Sequence, residues 1–181
     1  TGTVTRGEPA LTDVVPAPEI SEETLLVHAA SVEAGSEHPL GQAIVTAARE
    51  RDLVVPKVAD FRAVTARGVE GRVEGKHTRV GSRRMLEEAG IAINGLGEAL
   101  TRLETEGKTA MLVAIEDRAI GIVAVADTIK PDSRSAISAL KSMAIEPIMI
   151  TGDNERTARY VADQVGICLL YTSDAADEVD G

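Results

Sequence analysis

Ser36-Glu37-His38-Pro39-Leu40 sets a histidine between an acid and a proline. Pro39 suits the first turn of a helix and pushes His38 out of the α region. His38 is therefore expected on the loop that opens a helix, near the backbone N–H groups of its N-terminus, where a ring can meet an anionic ligand. The plain alternative is a loop histidine with no ligand. Glu33 lies five residues earlier, across a helix end and a glycine. Its carboxylate can accept from an exocyclic base amine while a ring stacks nearby; a solvated glutamate is the alternative. Thr151-Gly152-Asp153-Asn154 follows an apolar strand and has the chemistry of a phosphate loop. The Thr151 hydroxyl and the Gly152 N–H can donate to a phosphoryl oxygen. Asp153 can accept from a nucleotide or organise Mg²⁺ and its waters. The same four residues also read as a strand-to-helix turn with Asp153 or Asn154 as N-cap.

Three further groups carry weaker chemistry. Asp127-Thr128-Ile129-Lys130-Pro131 puts an acid and a base at another strand end, or caps a helix ahead of Pro131. Gly68 and Gly71, beside Arg67 and Arg72, allow a phosphate or ribose close to the backbone, or mark a bulge or twisted edge. Gly81-Ser82-Arg83 places a hydroxyl at a strand-to-helix junction, most simply a cap. His28 reads as packed on a helix and His77 as lying on a hairpin surface.

The elements that position these groups follow from periodicity and punctuation. Thr1–Thr5 reads as a strand end running into a loop, and Gly7, Pro9, Pro16 and Pro18 mark an extended connector with a short strand around Leu11–Val15. Ser21 can cap a helix that runs to about Ala34, with Glu22 and Glu23 favourable to its dipole. A second helix runs from Pro39 to about Arg51. From Val54 to Val80 the period becomes two, with Glu74-Gly75-Lys76 as a tight turn. Ser82 opens a helix stopped by Gly90, another helix spans about Leu96–Glu106, and strands at Ala110–Ile115 and Ala119–Ala126 pair through Glu116-Asp117-Arg118. After Pro131 a helix carries Ile137, Leu140 and Met143 on one face. A short buried strand, Ile145–Ile150, then leads to the Thr151 loop and a helix over about Glu155–Val165. Strand, loop and helix form half of a doubly wound sheet, and ligands bind at such strand ends. The α+β stretch thus looks inserted into an α/β unit. The tail from Cys168 is acidic and small, a composition that need not fold.

Composition bounds the function. The 181 residues are 44% hydrophobic but only 2% aromatic, so the core must be aliphatic. The net charge of −10 and the absence of Trp argue against a nucleic-acid partner. One cysteine excludes an internal disulfide framework and a multi-cysteine metal site. No run approaches the roughly 20 apolar residues of a membrane helix. The chain reads as intracellular, and its start at Thr1 as a cut from something longer.

Together these motifs closely resemble those of the heavy-metal-transporting P-type ATPases, from Thr1 to Ile167. Ser36–Leu40 matches the metal-pump signature. Thr1–Thr5 matches the segment after the phosphorylated aspartate and its lysine, while Asp127–Pro131 and Met149–Asn154 match two phosphorylation-domain motifs. The fold implied is α/β: an antiparallel-sheet α+β nucleotide-binding domain (19–120) inserted into a haloacid-dehalogenase-like, Rossmann-like phosphorylation domain (1–18 with its linker, and 121–167) that is incomplete here. Residues 168–181 would be disordered or foreign. The resemblance implies that His38 orients the adenine of ATP, that Glu33 bonds its amino group, and that Gly68 and Gly71 give room around it. Ser82 and Asp127 join the ATP site. Thr151 holds the phosphoryl group, Asp153 shapes the nucleotide and Mg²⁺ site, and the Thr1 carbonyl is a Mg²⁺ ligand. Ala66 stands where the family often has a glycine, and Ser82 where an asparagine is common.

The nucleophilic aspartate and its lysine would lie just before Thr1, so this stretch is expected to bind nucleotide without turning it over. Its partners would be ATP and the rest of the same polypeptide, namely membrane helices and an actuator domain. The whole would be a multi-pass membrane protein with this part cytosolic and the transported metal bound elsewhere. The motif runs point to the copper(I) branch, with zinc or cadmium as the alternative metal. A soluble phosphatase of the same superfamily with a cap domain, or a stand-alone nucleotide-binding module, are the other readings.

Overall fold

The computed structural model describes residues 2–151 and 155–172, with Glu155, Arg156 and Thr172 described by backbone alone. Strand β1 (Thr5–Pro16) is followed by helices α1 (Glu22–Glu33) and α2 (Pro39–Glu50), then strands β2 (Ala59–Val64), β3 (Gly68–Val73) and β4 (Lys76–Gly81). Helices α3 (Arg83–Glu88) and α4 (Gly97–Thr105) lead to strands β5 (Thr109–Ile115) and β6 (Arg118–Ile129). Helix α5 (Ser133–Ser142), strand β7 (Ile148–Thr151), helix α6 (Glu155–Val165) and strand β8 (Leu169–Thr172) complete the described chain. Two compact units divide it. The larger is Pro9–Leu103 with Thr109–Ala126; the smaller gathers residues 1–8, 104–108 and 127–181.

The larger unit is built on a six-stranded sheet of order β1-β6-β5-β4-β3-β2, antiparallel from β2 through β6. The period of two sorts its side chains onto two faces. Val113, Val123 and Val125 join α1 and α2 in one cluster with Leu25, Leu26 and Ile44. Leu112, Ile122 and Ala124 join Leu86, Leu100 and Leu103 of α3 and α4 in the other. The apolar run from Ala119 to Val125 is thus a strand buried on both faces, the usual fate of a strand with helices above and below. Gly121 is forced by that position: its φ is 154°, and a Cβ there would lie 2.5 Å from Leu25 Cδ2 and 2.6 Å from the Val15 carbonyl.

Local signals account for the element ends. Ser21 caps α1 by accepting from the Thr24 amide at 3.1 Å, and Ser82 caps α3 by accepting from the Met85 amide at 3.4 Å. Glu74 and Gly75 both have positive φ, the backbone that a two-residue hairpin between Val73 and Lys76 requires.

The smaller unit pairs β7 with β8 in parallel, Ile148 opposite Leu169 and Thr151 opposite Thr172. A small core of Ala162, Val165 and Ile167 takes in Val4, Ile129, Ile137 and Met149.

Several expectations change. The N-terminal connector is one 12-residue strand, not two short pieces. Pro9 is tolerated because β1 is the sheet's edge, where a missing N–H need not pair. Strand β6 continues past Ala126 to Ile129. Strands β1 and β6 both cross from one compact unit to the other, after Glu8 and after Ala126. Strand β7 starts at Ile148 and is covered on one face only: Ile148 and Ile150 are exposed while Met149, on the opposite face, packs inward and Thr151 is buried. The tail beyond Cys168 is not structureless throughout, since Leu169–Thr172 forms β8; residues 173–181 lie outside the described residues.

Candidate functional site

Glu33 closes α1 and His38 opens α2, so the helical hairpin brings both to one end. Pro39 at the first helical position leaves His38 extended, with φ −70° and ψ 135°, as the N-cap. The ring performs the capping: Nδ1 accepts from the Leu40 amide at 3.2 Å. A neutral imidazole that accepts at Nδ1 carries its proton on Nε2. The exposed ring therefore has Nε2–H available as a donor. The loop is held by its own bonds. The His38 amide donates to Ser36 Oγ at 3.2 Å, and Gln42 Nε2 donates to the Ser36 carbonyl at 2.7 Å.

Glu33 is only 5% exposed. Its carboxylate lies over the bare Cα of Gly41, in the first turn of α2; a Cβ at Gly41 would collide with Oε2 and sit 3.2 Å from Cδ. No hydrogen bond or ion pair reaches it among the described residues, and since no fully buried side-chain oxygen there lacks a partner, its oxygens keep a narrow contact with solvent. Burial alone pushes its pKa from the ordinary carboxyl range up to about 7. Taking most of a carboxyl out of water disfavours its charged form. The exposed His38 opens the helix whose first turn Glu33 covers.

At Gly68 and Gly71 the protein itself occupies the space a side chain would take. A side chain at Gly68 would collide with the Val80 carbonyl and approach Gly81 Cα at 2.5 Å, so the missing side chain serves the close pairing of β3 with β4. At Gly71 the space is filled by Val58, beside the Ala59 carbonyl at 3.1 Å, where β2 has an irregular register. Ala66 stands in the β2–β3 turn at φ 55°, a left-handed conformation that suits glycine better than alanine. Ser82 is committed to its cap.

In the smaller unit, the Asp127 motif fastens the start of the chain. Asp127 Oδ1 accepts from the Gly7 amide at 3.0 Å, Lys130 Nζ donates to the Gly2 carbonyl at 2.8 Å, and Ser133 Oγ donates to the Val4 carbonyl at 2.7 Å. Asp127 thus already serves a backbone donor. Thr151 ends β7 and is buried. Thr1, Gly152, Asp153 and Asn154 lie outside the described residues, so the Mg²⁺ expectation rests on residues beyond the description. Among the described residues no cluster of His, Cys, Asp and Glu is arranged to hold a metal ion, and no helix is long and apolar enough to cross a membrane.

His28 is buried, with Nδ1 3.3 Å from Thr78 Oγ1, and desolvation lowers its pKa. His77 lies beside Glu70, with Nε2 at 3.4 Å from a carboxylate shared with Arg79. Two residues near the site carry no chemical signal in the sequence: Gly41, which seats Glu33, and Phe61, whose ring packs on Gly35.

A family model described as "Hydrolase: haloacid dehalogenase-like hydrolase" matches residues 1–181. The chain is 46% identical over 167 residues to the copper-exporting P-type ATPase of Bacillus subtilis (strain 168), covering 92% of this chain and 21% of that protein. It superposes on a zinc-transporting PIB-type ATPase in its E2.Pi state with a TM-score of 0.86 at 35% identity, over 95% of this chain and 28% of that one. The catalytic domain of the CPx-ATPase CopB-B, solved for its conformational changes upon nucleotide binding, matches with a TM-score of 0.65 at 26% identity, over 95% and 58%. The chain spans about a fifth of the length of the curated relative. Matched along its whole length by that family model, and similar in sequence and in fold to metal pumps, the chain belongs to the haloacid dehalogenase-like hydrolases and, among them, to the heavy-metal P-type ATPases.

Proposed function

We propose that this chain is the cytosolic ATP-binding portion of a heavy-metal P-type ATPase, with adenine held between Glu33 and His38. One observation carries the reading: a largely buried carboxyl ends α1 at the same end of the hairpin where a capping histidine opens α2. Glu33, ionised, accepts from the exocyclic amine of adenine. His38, fixed by the Leu40 amide, presents Nε2–H to a ring nitrogen or its ring face to the base. Gly68 and Gly71 support that site by letting neighbouring backbone and Val58 pack close.

In the whole protein the bound nucleotide would be delivered to an aspartate outside this stretch, with Thr151 on the phosphoryl group. Phosphoryl transfer is mostly positioning and charge neutralisation, and binding and orienting the nucleotide is the share assigned to these residues. Mg²⁺, when bound, would neutralise phosphate charge; Thr1 and Asp153 are the residues proposed to hold it. Copper is the metal proposed, because the copper-exporting relative is 46% identical; zinc is the second reading, favoured by the TM-score of 0.86 to the zinc pump.

Titration calorimetry with ATP tests the reading. His38→Gln should weaken binding about three- to tenfold, the weight of one hydrogen bond. Equal affinity for parent and variant would remove His38 from the site.

A further inference from the structure

Phe61 is the chain's only phenylalanine, yet it belongs to neither core cluster of the larger unit. It lies on β2, the edge strand opposite β1, and is 36% exposed. Its ring is spent on a loop glycine. A Cβ at Gly35 would lie 2.6 Å from Phe61 Cδ2, 2.7 Å from Cγ and 3.0 Å from Cε2, so the ring sits directly on the Gly35 backbone. On the other side, Phe61 Cα is 3.5 Å from where a Cβ of Gly71 would be. Phe61 therefore bridges the α1–α2 loop to strand β3.

The loop needs such a bracket. Its hydrogen bonds, from the His38 amide to Ser36, from Gln42 to Ser36 and from the Leu40 amide to His38, all stay within the hairpin's own end. They fix the loop's shape but not its seat on the sheet. Gly35 also lines a hollow of about 500 Å³ with Leu53, Val55 and Val58, so removing the ring would leave that backbone with open space beside it.

We propose that Phe61 is a positioning residue for the nucleotide site: its ring, seated on Gly35, sets the Ser36–His38 loop against the sheet and fixes where His38 and Glu33 meet a bound base. The proposal rests on the adenine reading above. It also gives Gly35 a reason, since any larger side chain would displace the ring. A merely structural role predicts lost stability; a positioning role predicts lost affinity that runs through His38.

The experiment is ATP titration of Phe61→Ala, Phe61→Leu, Gly35→Ala and Gly35→Ala/Phe61→Ala, with thermal melts and the His38 ring signals in NMR. Phe61→Ala should weaken ATP about fivefold, the scale of a coupling near 1 kcal/mol, and Phe61→Leu less. Gly35→Ala should weaken it alone, while the double variant binds no worse than Phe61→Ala, because the vacated ring leaves room for the new methyl. Phe61→Leu, which keeps most of the packing, should still move the His38 Hε1 signal without nucleotide. Combined with His38→Gln, Phe61→Ala should add no further loss. If Phe61→Leu and Gly35→Ala bind ATP like the parent while His38→Gln does not, the positioning role is wrong and the adenine site stands. If losses from Phe61→Ala and His38→Gln multiply, Phe61 does not act through His38 and the proposal falls. If His38→Gln has no effect, the adenine reading fails and this inference with it.

Discussion

Replacing Glu33 with glutamine should make the protein more stable at alkaline pH while weakening its hold on nucleotide. Burial raises the Glu33 pKa from 4.5 to about 7. Between those values the folded protein keeps a proton that the unfolded chain has released. Unfolding then releases a proton, so rising pH favours it. The carboxyl costs nothing extra below about pH 4.5, and the cost accumulates as pH climbs through about 7. Between pH 5 and pH 8 it amounts to about 2–3 kcal/mol. Glutamine has the same shape and no such titration. Its own unpaired amide adds a constant offset, which the comparison across pH removes. Melting both proteins at pH 5, 6, 7 and 8 reads the effect: the Tm of Glu33→Gln relative to the parent should rise by about 5–10 °C across the range. Saturating ATP should narrow the gap, because the adenine amine supplies the missing donor. A Tm difference that stays flat from pH 5 to pH 8 would show that burial does not raise the Glu33 pKa.

Two further substitutions probe the backbone. Ala66→Gly relieves a left-handed alanine at φ 55° and should stabilise the larger unit by about 0.5–1 kcal/mol in urea unfolding, the strain removed being partly offset by added chain entropy. Gly121→Ala drives a methyl into Leu25 and the Val15 carbonyl and should cost about 3 kcal/mol or leave little folded protein, measured by the same unfolding curves.

Much of this was readable where the determining contacts are local. Ser21, Ser82 and Pro39 mark helix starts because a cap acts within a few residues, and Glu74-Gly75 marks a hairpin because its turn needs positive φ. The alternation of Leu112 with Val113, and of Ile122 with Val123, assigns opposite faces because a strand's period is two. Contacts distant in sequence were not readable. Asp127 read as an acid at a strand end or a helix cap, but its partner is the Gly7 amide, 120 residues away. Gly68 and Gly71 looked like room for a ligand, but Val58 and β4 fill it. Glu33 was picked out for its spacing from His38, while its burial depends on Gly41 of the next helix. Strand β7 looked buried from its isoleucines; the covered face belongs to Met149 and Thr151 instead.

The placement of the few aromatic rings governs how the molecule can be watched. Both tyrosines, Tyr160 and Tyr171, lie in the smaller unit, and there is no tryptophan. Phe61 is the larger unit's sole aromatic. Intrinsic tyrosine emission therefore follows the smaller unit alone and is blind to melting of the unit that carries Glu33 and His38. An optical reporter for that unit has to be installed.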